Sequence, residues 1–185
     1  LADGMKKALK YSAVTVGATL AAGAVTAFVK GAQRLNQLDQ ATAKMTGLGF
    51  SSEVTAKAMD NALASVKGTA HGLGDAATTA AQLMASGIKP GERLEAVLKS
   101  VANSASASGS SMDELGSIYA KVSSLGKAQN DVLQQVADRG LPIYQKLADQ
   151  FGVTTDEVFK MASAGKIGFA EFESAMTSAA GTVAD

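Results

Sequence analysis

Cysteine and tryptophan are absent from this chain of 185 residues, proline occurs twice, histidine once, and aromatic residues make up only 5%. Without cysteine there is neither a disulfide framework nor a thiolate metal site, and His71 alone cannot supply a centre of several imidazoles, so no metal or other cofactor is expected. The scarcity of aromatic residues argues against a core of packed sheets, which draws on aromatic and β-branched side chains. Charge of one sign is also missing. Lys and Arg number 17 against 17 Asp and Glu, so no net field attracts a phosphate backbone, and no specific nucleic-acid binding is expected. What the chain does have is hydrophobic content of 46%, drawn mainly from Ala with Val, Leu and Met. Such residues favour helices that approach one another closely.

The length suffices for one ordinary domain, or for a smaller one with a long helical extension. Because the chain opens at Leu1 and not at Met, it is expected to be a piece of a longer protein. Residues 3–46 contain no proline and carry apolar or small residues at Leu9, Ala13, Val16, Leu20, Ala24, Ala27, Gly31, Leu35, Leu38, Thr42 and Met45. This spacing stays near the natural helical period, so one stripe keeps to one face of a nearly straight helix, roughly 60 Å long at about 1.5 Å per residue.

Between Tyr11 and Val29 no residue is charged, while Lys6, Lys7 and Lys10 precede the stretch and Lys30 and Arg34 follow it. Val14, Val25, Phe28 and Val29 lie off the main stripe, so the segment is apolar around its circumference. Three readings fit. The length suits a transmembrane helix, although Ser12, Thr15, Thr19, Thr26, Gly17 and Gly23 dilute it. A secretory signal would use the lysines as its basic start and Ala22-Gly23-Ala24 as its cleavage site. Packing of helix on helix in an oligomer would use the small residues for close approach.

After Met45 the pattern shortens. Gly47-Leu48-Gly49 stops the long helix, and Ser51 or Ser52 caps the next, to about Val66. Asp75 is expected to cap a helix to about Ala85, Pro90 marks a turn, and Glu92 to about Ala107 follows, with Ser104 to Ser111 read as a break. Ser111-Met112-Asp113-Glu114 and Thr154-Thr155-Asp156-Glu157 each match a capping box. Between them a helix runs from about Gln129 to Asp138, and Pro142 opens another, to Phe151. Phe169 to about Ala180 is the last. Most of the aromatics, Tyr144, Phe151, Phe159, Phe169 and Phe172 among them, fall in the last 45 residues at helical spacing, where they are expected to form core.

Chemistry is sparse. His71 sits in a glycine-rich joint with no evident partner for acid–base work. Glu157 and Glu171 could be imagined as the paired carboxylates of a cell-wall glycosidase, but each stands near a helix start, where capping explains it more simply. The stretch from Gly17 to Gly23 lacks phosphate-loop spacing. Neither an enzyme nor a nucleotide site is expected.

Gly140-Leu141-Pro142-Ile143-Tyr144-Gln145-Lys146-Leu147-Ala148, Phe151-Gly152-Val153-Thr154, Val158-Phe159-Lys160-Met161-Ala162, Gly165-Lys166-Ile167 and Phe172-Glu173-Ser174-Ala175-Met176 together resemble the domain near the start of many phage tail tape measure proteins. Asp75-Ala76-Ala77, Met84-Ala85-Ser86-Gly87 and Lys99-Ser100-Val101-Ala102 fit the same pattern, so the resemblance spans roughly residues 35–180. It implies a virion protein in the tail-tube lumen or at the tail tip, which sets tube length in assembly and is released during genome ejection. The partners it implies are the chain's own copies about the tail axis, the tail tube and tail-tip proteins, and the host membrane on ejection.

The expected fold is therefore all-α, with a long apolar or amphipathic helix over residues 1–46 and a compact bundle of short helices over residues 47–185. Self-association or membrane activity is assigned to Leu9, Val16, Leu20, Val25, Phe28, Leu35 and Leu38. The alternative function is a membrane-inserting or pore-forming helical protein.

Overall fold

Backbone hydrogen bonding in the computed structural model follows the glycine and hydroxyl punctuation of the sequence, and the structure describes residues 22–184, with side chains over residues 35–182. Nine helices make up the described residues: α1 Ala22–Gly47, α2 Ser52–Val66, α3 Leu73–Ala85, α4 Glu92–Ser108, α5 Met112–Leu125, α6 Asn130–Ala137, α7 Ile143–Phe151, α8 Thr155–Ser163 and α9 Phe169–Ala184. The chain divides between Gln33 and Arg34, and the core lies in the second unit. Of the expected long first helix, residues 22–46 are helical and residues 3–21 lie outside the described residues.

Local chemistry accounts for the boundaries. At the end of α1, the Phe50 amide reaches back to the Met45 carbonyl at 3.2 Å, while Gly49 takes φ 86°, a left-handed conformation that costs glycine little. Both capping boxes form: Ser111 Oγ accepts from the Glu114 amide at 3.2 Å and Glu114 Oε2 accepts from the Ser111 amide at 2.9 Å, and Thr154 and Glu157 repeat the exchange at 3.3 and 2.9 Å.

Helix α4 is the centre of the unit, packed against α2, α3, α5 and α9. Helix α3 lies between α2 and α5, and α9 also touches α5 and α7. Small residues set these distances. Ala76, Ala77, Ala80 and Ala81 of α3 are fully buried, and a Cβ on Gly116 of α5 would come within 2.6 Å of Thr79 Cγ2. Where larger side chains enter, they cluster: the buried Tyr119 ring meets Phe172 edge-on at 5.2 Å and Phe169 at 6.4 Å. Arg93 covers Phe169 at 5.2 Å from the ring centroid and pairs with Glu173 at 2.5 Å. The short helices α6, α7 and α8 pack on one another, and the Ala128 amide donates to the Ile167 carbonyl at 2.8 Å, tying the entry to α6 to the turn before α9.

Four expectations need correction. Asp75 does not cap α3; the helix begins at Leu73 after Gly72, and the Asp75 carboxylate instead accepts from Gln37 Nε2 of α1 at 3.1 Å. No break begins at Ser104, because that side chain is buried and the helix continues to Ser108, ending where Gly109 turns left-handed at φ 67°. On α1, Ala41 rather than Thr42 is buried, since Leu38, Ala41 and Met45 share one face at about 100° per residue. Phe159 is 54% exposed, because Val158 and Ala162 occupy the inward positions of α8.

Candidate functional site

Four of the seven residues for which self-association or membrane activity is expected, Val25, Phe28, Leu35 and Leu38, fall on helix α1. Leu9, Val16 and Leu20 lie outside the described residues, while Val25 and Phe28 fall on the helical backbone of α1. Leu35 is 37% exposed, whereas Leu38, one turn further on, leans against the core beside the buried Ala41 and Met45. Exposure along α1 thus differs sharply between Leu35 and Met45, two members of the same expected stripe.

A second feature, not legible in the sequence, is a chain of hydroxyls inside the bundle. Ser100 Oγ lies 2.8 Å from the Tyr119 hydroxyl and 2.9 Å from Thr177 Oγ1, and Ser104 Oγ lies 3.3 Å from the same tyrosine oxygen. Thr177 donates its one proton to the Glu173 carbonyl at 3.0 Å. It must therefore accept from Ser100, which leaves Tyr119 to donate to Ser100 and Ser104 to donate to Tyr119. Each of these four hydroxyl protons has one acceptor. Burial raises the Tyr119 pKa far above its ordinary value of 10.0, against the opposing hydrogen bonds with Ser100 and Ser104, so the phenol stays protonated and keeps its place as a donor. The signal that could have revealed it is Ser100 and Ser104 standing four apart beside Val97 and Val101 on the inward face of α4.

Above this network α4 and α9 leave an open groove of about 470 Å³, whose lining includes Lys99, Ser100, Asn103, Glu173, Ser174 and Thr177. Within it Ser100 gives its proton to Thr177 and Glu173 is paired with Arg93.

The remaining candidates make local contacts that hold the bundle's joints and helix starts. His71 Nε2 donates to the Ala102 carbonyl at 3.1 Å and lies 2.9 Å from Ser106 Oγ, pinning the joint between α2 and α3 to α4. The Glu157 carboxyl is held below its ordinary value of 4.5, chiefly by the Thr154 amide and then by the Thr154 hydroxyl, as its cap role requires. Glu171 folds over the N-terminus of its own helix, with Oε2 2.6 Å from where a Cβ on Gly168 would stand. Among the described residues there is no group of three acidic or histidine side chains that could hold a metal ion, and no helix long and apolar enough to cross a membrane.

A family model described as tape measure protein matches residues 29–185. No curated protein and no solved structure matches the chain.

Proposed function

The chain belongs to the tape measure protein family, a structural component of the phage tail, and from that premise we propose that it helps set tail-tube length, occupies the tube lumen, and is released when the genome is ejected. The observation that carries this reading is the family match over residues 29–185, which takes in the last part of α1 together with the whole helical bundle. Helical chain suits a ruler, because each residue adds a fixed rise of about 1.5 Å and the gene thereby encodes a length. Copies of the chain share the tail axis, enclosed by tube proteins and ended by tip proteins. On ejection, the charge-free stretch of residues 11–29 meets the host membrane.

Release and membrane contact are tested together by triggering ejection from purified virions in the presence of liposomes. The expected result is a chain present in filled tails, lost from emptied tails, and recovered with the floating liposomes. Retention in emptied tails would contradict release, and recovery in the soluble fraction would contradict the membrane step alone.

A further inference from the structure

Residues 35–47, the end of α1, lie on the bundle but are lightly held. Ala41 and Met45 are buried, Gln37 and Leu38 are half-buried, and every other residue of this stretch is exposed. Helix α3, which has the same length of 13 residues, buries eight. After Met45 the chain turns through Gly47-Leu48-Gly49, all exposed, with Gly49 at φ 86°. Two glycines in three residues give this turn the backbone freedom of a hinge.

A polar contact fastens the other end. Gln37 Nε2 donates to Asp75 Oδ1 at 3.1 Å, and a Cβ on Gly74 would stand 2.9 Å from Gln37 Cβ and 3.0 Å from its Cδ. Gly74 lies in the first turn of α3 and is not among the glycines of positive φ, so its backbone would accept alanine. Space, not conformation, requires the glycine. Because Gln37 Cβ is fixed to the backbone of α1, a methyl group on residue 74 fits only if that helix moves. We propose that residues 35–47 are a strap that opens as a unit about Gly47-Leu48-Gly49 while the rest of the bundle stays folded, with Gln37 on Gly74 and Asp75 as its fastening. Opening adds about 20 Å of helix to the link between the bundle and the residues before 35.

Met45 reports the state of the strap, since it is as fully buried as Met112 and Met176 yet belongs to α1. The whole chain is treated with hydrogen peroxide, and methionine sulfoxide is followed at each methionine by mass spectrometry. In the unaltered chain Met45 should oxidise at least about tenfold faster than Met112 and Met176. Gly74→Ala should raise the Met45 rate at least about fivefold more and change the other two less than about twofold, although alanine favours the helix and without crowding would slow opening. In a chain that already carries Gln37→Ala, Gly74→Ala should no longer raise the rate. Equal rates at the three methionines of the unaltered chain, or an equal rise at all three in Gly74→Ala, would overturn the strap as a unit. A Met45 rate unmoved by Gly74→Ala, or raised by it as much without Gln37 as with it, would overturn the fastening.

Discussion

Tyr119 joins two tasks that a small-residue core rarely combines. Its ring supplies apolar bulk among Phe169 and Phe172, and its hydroxyl sits mid-chain between Ser104 and Ser100. Tyr119→Phe keeps the ring but leaves Ser104 without an acceptor and Ser100 without a donor. The expected loss is about 1–3 kcal/mol of folding stability, read by denaturant unfolding; a loss within error of zero would show that the hydroxyls re-pair. The caps make a prediction in pH. The carboxyls of Glu114 and Glu157 lie below 4.5 in the folded chain because each accepts from its cap residue's amide, a bond that the unfolded chain lacks. A lowered folded value means that their stabilisation is complete above pH 4.5 and drains away as the pH falls through the lowered values. Replacing both with Gln, which can still cap but does not titrate, should flatten the fall in melting temperature between about pH 5 and about pH 3. An unchanged slope would contradict this account of the caps.

At the scale of the element, helix starts marked by a hydroxyl followed three residues later by a carboxylate were the most legible part of the sequence, because both partners lie within one turn. Asp75 misled for the opposite reason. Its partner, Gln37, is 38 residues away, and nothing local distinguishes a cap from a carboxylate reached by another helix. Ser104 misled likewise: a serine among Ser, Ala and Gly reads as a break until Tyr119, 15 residues on, supplies its acceptor. Periodicity located apolar residues along α1 but could not say that the bundle takes Leu38 while Leu35 stays exposed. Packing of α3 on α5 depends on the missing side chain at Gly116. Gly116→Ala gains helix propensity of about 1 kcal/mol, yet the new methyl meets Thr79 Cγ2 at 2.6 Å. Crowding of that kind costs about 1–3 kcal/mol, so net destabilisation is expected by thermal melting, and Thr79→Ser in the same chain should restore part of it.

For the whole molecule, composition carried the main conclusion. Alanine in place of aromatics yields a bundle in which α3 packs through Ala76, Ala77, Ala80 and Ala81, all fully buried. Family membership gives that geometry a setting in the phage tail. The proposal that chain length is read out as tube length is tested most directly by tail length in electron micrographs of virions whose gene carries four added heptads of helix between Gln33 and Arg34. At about 1.5 Å per residue, 28 added helical residues should lengthen the tail by roughly 42 Å. Normally assembled tails of unchanged length would contradict it.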